Sequence, residues 1–149
     1  MTQFNQLRAT MVDNQLRTSG VTNNALLARM GNVPRELFVP ADRQSTAYSD
    51  TVQWLGTGGS VQRFMMPPAA LAKLLQLAEI GQDDVVLDIG AGTGYATAVM
   101  AGLAQSVTGL ESDAALAARA GTILRDLGIT NATVIAGDLT TLPRRGFDV

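Results

Sequence analysis

Residues 88–94 read DIGAGTG, and this stretch decides the fold that the sequence predicts. Its first two residues end a short, almost wholly apolar run over residues 85–89. Such a run is typical of a central parallel strand that is covered on both faces. Glycines permit a sharp turn and let a ligand lie against main-chain atoms, while a helix that follows directly presents free N–H groups. The stretch therefore predicts a strand, a ligand-binding turn and a helix.

Helix and strand patterns alternate on both sides of this turn. They are a helix from Pro67, a strand at 85–89, a helix at 95–103, a strand at 106–110, a helix at 114–127 and a strand at 132–136. This order predicts an α/β fold with a Rossmann-like, doubly wound parallel sheet that binds its ligand beyond the carboxyl ends of the strands. Residues 147–149 look like the start of a fourth strand, so we expect the chain to be truncated there.

The first 66 residues predict a helical extension. Apolar residues recur at helical spacing over residues 4–16, and a second helix is predicted over residues 23–30 with Asn23 or Thr22 as its cap. Residues 40–59 are rich in Asp, Ser, Thr and Gly, which predicts a lid or surface loop. We therefore divide the chain into residues 1–66, a helical and loop region on the substrate side, and residues 67–149, the ligand-binding core.

The amino-acid composition limits the kinds of partner and catalytic mechanism that the chain can have. The chain has 149 residues, 46% of them hydrophobic, and a formal charge of −2, which gives no cationic field for nucleic acid. It contains neither Cys nor His, so we expect no metal site and none of the common nucleophile–histidine mechanisms. The N-terminus is polar and no apolar run approaches bilayer length, which predicts a cytoplasmic protein without a membrane partner. A cofactor should therefore carry the chemistry.

The spacing within residues 88–94 distinguishes two adenosine-containing cofactors. The dinucleotide fingerprint G-x-G-x-x-G needs a small residue at the position that Tyr95 occupies, which disfavours a nicotinamide oxidoreductase. The third glycine falls instead at Gly94, in a D-x-G-x-G-x-G pattern. The Asp88 carboxylate also suits a cationic amino-acid end and a sulfonium better than a pyrophosphate, which it would repel. We therefore predict S-adenosylmethionine as the cofactor.

Two more acidic residues follow the next strands. Glu111 ends the second core strand, at the offset of ~20 residues where an acid accepts ribose hydrogen bonds; the alternative is a solvated loop acid. Asp138 follows the third strand and would accept a hydrogen bond from the adenine amino group, or else cap a turn. The predicted cofactor-binding residues are Asp88, Gly90, Ala91, Gly92, Thr93, Gly94, Glu111, Ser112, Asp138 and Leu139.

Three other segments resemble one known family. They read MVDNQLR at residues 11–17, VPRELFVP at residues 33–40 and AYSD at residues 47–50. With the glycine motif they resemble the N-terminal half of protein-L-isoaspartate O-methyltransferases, which are class I S-adenosylmethionine-dependent methyltransferases. The resemblance implies methyl transfer to the free carboxylate of an isoaspartyl residue, the first step of protein repair, with a damaged peptide or protein as partner.

One segment departs from that family. Where the family carries Gln-Thr-Ile-Ser-Gln-Pro, with hydroxyls that face the substrate carboxylate, this chain reads RFMMPP at residues 63–68. Phe64 and Met66 donate no hydrogen bonds to a carboxylate, and Phe64, Met65 and Met66 are alternatively packing residues under a lid. Arg63 could pair with a carboxylate as a charged fork, and Ser60 would match only after a shift, so these two are the candidate catalytic residues. A second hypothesis follows: the protein binds S-adenosylmethionine but has another acceptor or no isoaspartyl activity.

Overall fold

The structure, a computed structural model, describes residues 2–58, 61–142 and 145–149. In chain order its helices and strands are α1 (Gln3–Met11), α2 (Asn24–Asn32), β1 (Gln53–Gly58), β2 (Val61–Met65), α3 (Pro68–Ala78), β3 (Val85–Ile89), α4 (Tyr95–Ala101), β4 (Ser106–Glu111), α5 (Ala114–Asp126) and β5 (Ala132–Ala136). No helix in these ranges is long and apolar enough to cross a bilayer.

A parallel sheet of order β3-β4-β5 forms the centre of the second half of the chain. The strand register pairs Ile89 with Leu110 and Glu111 with Ala136, so the carboxyl ends of the strands lie side by side. Helices α4 and α5 connect these strands and pack against β4 and β5. The predicted β-α-β-α-β order is confirmed, with each element ending within two residues of its expected end.

The last described residues run along the free side of β3. The Asp148 N–H donates to the Val85 carbonyl at 2.7 Å, and the Leu87 N–H donates to the Val149 carbonyl at 3.0 Å. This is the slanted pattern of a parallel pair. The Asp148 carboxylate also accepts a hydrogen bond from the Val85 N–H at 2.8 Å. Residues 147–149 were predicted to begin a fourth strand; they are not a regular strand, but hydrogen bonds join them to β3, and Asp148 has a structural contact.

The N-terminal region differs from its prediction in two places. The helix expected over residues 4–16 is regular only as far as Met11 and continues as a π-helical turn over Val12–Leu16. The prediction of a loop over residues 40–59 is wrong for its last part, because Gln53–Gly58 forms β1 and pairs antiparallel with β2. Trp54 stands opposite Phe64 in this hairpin, and the partner strand supplies ladder hydrogen bonds that the composition alone does not reveal.

The N-terminal region packs directly onto the glycine-rich turn. Phe38 meets the ring of Tyr95 edge to face, with 5.4 Å between centroids. The Thr93 hydroxyl donates to the Phe38 carbonyl at 2.6 Å, and the Arg119 guanidinium donates to the Val39 carbonyl at 2.7 Å. Buried side chains from both halves form one continuous core. The N-terminal half therefore helps to fix the turn that begins α4.

Candidate active site

The glycine-rich turn after β3 adopts a conformation that favours glycine. Gly90, Gly92 and Gly94 have φ angles of 77°, 59° and 91°, which side chains other than hydrogen rarely tolerate. A Cβ on Gly92 would lie 3.0 Å from Leu55, and one on Gly94 would lie 3.2 Å from Ala120, whereas Gly90 faces open space. The turn therefore packs closely on one side and leaves its backbone accessible at Gly90.

Glu111 lies at the carboxyl end of β4 and is fully buried. Its carboxylate accepts hydrogen bonds from the Gly92 N–H at 2.7 Å and from the Asp113 N–H at 3.0 Å. It also forms an ion pair with the guanidinium of Arg63. This burial excludes the alternative of a solvated loop acid. The carboxylate links the glycine turn, the start of α5 and the hairpin.

Arg63, one of the two candidate catalytic residues, lies on β2 and contacts Glu111, a predicted cofactor-binding residue. Its side chain is 22% exposed and reaches from the hairpin to the Glu111 carboxylate. The other candidate, Ser60, lies outside the described residues. Of the two candidate catalytic positions, only Arg63 can therefore be placed relative to the turn.

Asp88 lies on β3 directly before the turn. Its carboxylate accepts a hydrogen bond of 2.6 Å from the hydroxyl of Thr97 on α4. Burial is the largest influence and raises the pKa of Asp88; the Thr97 hydrogen bond lowers it, and the negative charge of Glu111 raises it further. A positive ligand group placed near Asp88 would relieve this cost of holding a partly buried negative charge.

Two cavities share Ile89 and Gly90 in their lining, at the carboxyl end of β3, and the larger one also extends along β3 and α3. The smaller, of about 210 Å³, is lined by Arg63, Ile89, Gly90, Leu110, Ser112, Gly137, Asp138 and Leu139. The larger, of about 380 Å³, includes in its lining Asp88, Ala91, Gly92, Thr93, Phe64, Met65 and Met66. Eight of the ten predicted cofactor-binding residues line these cavities. The other two are Glu111, which accepts a hydrogen bond from Gly92, and Gly94, the buried N-cap residue of α4. The roles of these residues stay predictions.

Asp138 caps a turn, which is one of the two interpretations that its position allowed; the other, binding of the adenine amino group, stays a prediction. Its carboxylate accepts a hydrogen bond of 2.8 Å from the Thr140 N–H and so caps the 3₁₀ turn Leu139–Thr141. Hydrogen bonds from Thr140 lower the pKa of Asp138, which keeps it charged. The same residue lines the smaller cavity, beside the exposed side chain of Leu139. Capping therefore leaves it available to a ligand in that cavity.

The apolar residues of β2 and the segment after it are only partly packing residues. Met65 is buried, but Phe64 is 54% exposed and Met66 is 42% exposed. Both of the exposed side chains line the larger cavity. The interpretation of this segment as buried packing is therefore confirmed for Met65 and wrong for Phe64 and Met66, which form an apolar wall beside the turn.

Two residues that support the site were not among those predicted. Arg35 is fully buried, donates to the carbonyls of Ala47 and Met66 at 2.7 Å each, and lies 4.8 Å from the ring centre of Tyr95. A Cβ on Gly109 of β4 would lie 3.0 Å from Ala91 and closer still to a β5 side chain. A glycine inside a strand signals such close approach, so Gly109 was detectable. A buried arginine gives no such signal, because arginine usually lies at the surface.

The sequence of this chain is similar to those of one known family of proteins. A model of the protein-L-isoaspartate(D-aspartate) O-methyltransferase family matches residues 6–143. A protein-L-isoaspartate O-methyltransferase from Herpetosiphon aurantiacus is 41% identical over 135 residues, 91% of this chain and 58% of that protein. One from Koribacter versatilis is 39% identical over 138 residues, 93% of this chain and 60% of that protein.

Solved structures show the same architecture. A protein-L-isoaspartate O-methyltransferase superposes with a TM-score of 0.79 at 25% identity, over 88% of this chain and 42% of that chain. A second, from Plasmodium falciparum, is described as a putative protein-L-isoaspartate O-methyltransferase in complex with S-adenosyl-L-homocysteine. It superposes with a TM-score of 0.72 at 20% identity, over 92% of this chain and 66% of that chain, and it bears on the fold alone.

The parallel sheet, the glycine turn after its first strand and the buried acid after its second define the fold of a class I methyltransferase. Within that class the chain belongs to the protein-L-isoaspartate O-methyltransferase family, as the sequence resemblance predicted. It spans about three fifths of the length of the two relatives named above.

Proposed function

We propose that the protein is an S-adenosylmethionine-dependent methyltransferase that esterifies the free carboxylate of isoaspartyl residues in damaged peptides or proteins. The observation that carries the proposal is the presence of two cavities that share Gly90 in their lining, with the buried Glu111 carboxylate behind the turn. Membership of the family supports the choice of acceptor. A cytoplasmic location is part of the same proposal. So is a protein rather than a nucleic-acid partner, which the formal charge of −2 supports.

The residues of the turn fit the donor. Asp88 offers a negative charge to the cationic amino-acid end, and the open side of Gly90 leaves its backbone accessible to that ligand. Glu111 would accept from the ribose hydroxyls, and Asp138 from the adenine amino group. Ser112 and Leu139 complete the adenosine side. When bound, S-adenosylmethionine supplies a methyl group already activated by its sulfonium.

The chain itself needs to align the acceptor and exclude water. The apolar side chains of Phe64 and Met66 wall the larger cavity, which favours exclusion of water from a reacting carboxylate. Among the described residues that line either cavity, Arg63 is the one cation. A carboxylate nucleophile needs no general base, which agrees with a chain that lacks His and Cys. In this proposal residues 1–66 serve the acceptor and residues 67–149 the donor.

One observation favours a second candidate function. Phe64 and Met66 stand where the resemblance places acceptor-facing hydroxyls, and both are exposed to the larger cavity. A wall of this kind offers no hydrogen bond to a carboxylate. The second candidate is a protein of this family that binds S-adenosylmethionine and methylates a different acceptor, or none.

The experiment separates the two candidates. The protein is incubated with S-adenosylmethionine labelled on its methyl group and with an isoaspartyl peptide, and base-labile methyl ester is counted. A peptide of the same sequence with ordinary aspartate is the control. Label on the isoaspartyl peptide alone supports the proposal. If calorimetry shows that S-adenosylhomocysteine binds but no ester forms, the second candidate holds, and if neither occurs both are rejected.

A further inference from the structure

The carboxylate of Glu111 is already well supplied with hydrogen-bond donors. One oxygen accepts from the Gly92 N–H, and the other accepts from both the Asp113 N–H and the Arg63 guanidinium. A carboxylate offers about four acceptor positions. The two backbone donors are fixed by the glycine turn and by the start of α5. Arg63 is therefore the donor that can leave without rearranging either element.

The position of Arg63 connects both sides of the site. It lines the smaller cavity together with Gly90 and Asp138, and its neighbour Phe64 lines the larger one. A guanidinium held by the buried Glu111 has its charge largely neutralised, so it attracts an acceptor carboxylate weakly. The same guanidinium released from Glu111 would carry its full charge into the space between the two cavities.

We propose that Arg63 competes with the donor's ribose hydroxyls for the Glu111 carboxylate, so that donor binding releases the guanidinium to bind the acceptor's carboxylate. The inference rests on the proposed function. Binding of the donor then strengthens binding of the acceptor, and by thermodynamic reciprocity the acceptor strengthens binding of the donor. The exchange also means that donor binding carries the cost of breaking the Arg63–Glu111 pair.

The hairpin contains a tryptophan whose fluorescence can report on movement of Arg63. Trp54 is the only tryptophan of the chain and stands opposite Phe64, the residue next to Arg63. It is 37% exposed, so its emission responds to changes in its surroundings. Movement of Arg63 away from Glu111 should shift β2 against β1 and change the fluorescence of Trp54.

The test compares Arg63→Met with a matched control, Arg17→Met. Arg17 also pairs with a carboxylate, that of Asp13, but both side chains are more than half exposed and belong to the N-terminal region. Calorimetry with S-adenosylhomocysteine should show about tenfold tighter binding to Arg63→Met than to the wild type, equivalent to ~1.4 kcal/mol, because the competing hydrogen bond is gone. Arg17→Met should bind as the wild type does. Arg63→Gln, a shorter polar side chain without the charge, repeats the test if the methionine variant does not fold.

Two further readouts distinguish this binding role from a purely structural one. S-adenosylhomocysteine should change Trp54 fluorescence in the wild type and in Arg17→Met but not in Arg63→Met. The KM for the isoaspartyl peptide should rise at least about tenfold in Arg63→Met, because a charged hydrogen-bonding partner is lost. Donor affinity that is unchanged or weaker in both Arg63 variants overturns the inference, even where the wild type methylates. Failure of the wild type to bind S-adenosylhomocysteine rejects the proposed function itself.

Discussion

Gly109 in β4 holds the glycine turn against the sheet, and replacing it with alanine should damage both stability and donor binding. The added Cβ would lie 2.9 Å from Val134, 3.0 Å from Ala91 and 3.1 Å from the Thr97 hydroxyl. These contacts are shorter than ordinary van der Waals separations. Ala91 lies on the glycine turn, and Thr97 lies in the first turn of the helix that follows it. Overpacking of this kind costs about 1–3 kcal/mol of unfolding free energy.

The assay is thermal and urea unfolding of Gly109→Ala beside a matched control, Gly121→Ala. For a chain of this length, 1–3 kcal/mol lowers Tm by roughly 2–12 °C. Gly121 lies within α5, and a Cβ there would meet nothing within 4 Å. Alanine at Gly121 should therefore stabilise the protein by about 0.5–1 kcal/mol, through helix propensity. The reasoning is refuted if Gly109→Ala is as stable as the wild type and binds S-adenosylhomocysteine equally well.

Three further predictions concern other parts of the site and its support. Because the pKa of Asp88 is raised on folding, the native state loses stability as pH rises above the unfolded value of 3.8. At about pH 7, Asp88→Asn should therefore unfold at a higher urea concentration than the wild type, whereas below about pH 4 the two should unfold at the same concentration. The variant should also bind the donor more weakly. Equal urea midpoints at neutral pH would contradict this prediction. Arg35→Met should lose about 2–4 kcal/mol in urea unfolding, because the carbonyls of Ala47 and Met66 lose their partners; a loss below about 0.5 kcal/mol would mean that water replaces the guanidinium. Asn23→Ala should cost ~1 kcal/mol by removing the N-cap of α2, with donor affinity unchanged.

The central fold and part of the site could be predicted from the sequence because they depend on local patterns. The strand at residues 85–89 is continuously apolar, and the glycines that follow adopt the conformations for which glycine is suited. The offset of Glu111 from the turn placed it at the end of β4, where the parallel register brings it beside the turn. Asn23 is the N-cap of α2, one of the two residues expected there.

The remaining features depend on contacts between distant segments. Residues 53–58 were expected to lie in a loop because Asp, Ser, Thr and Gly are frequent over residues 40–59, whereas pairing with β2 determines their structure. The ion pair between Arg63 and Glu111 joins residues 48 positions apart. Arg35 is buried because two carbonyls and the ring of Tyr95 surround it. No local pattern encodes such partners, since they meet only after the helices and the sheet have packed.

Calorimetric titration of the protein with S-adenosylhomocysteine, beside a parallel titration with NADH, tests the central claim most directly. The spacing of glycines at residues 90–94, the bulky Tyr95 and the acid at Asp88 predict one bound S-adenosylhomocysteine per chain and no binding of NADH. Binding of NADH, or no heat with S-adenosylhomocysteine, would contradict the assignment of this turn to a methyl donor.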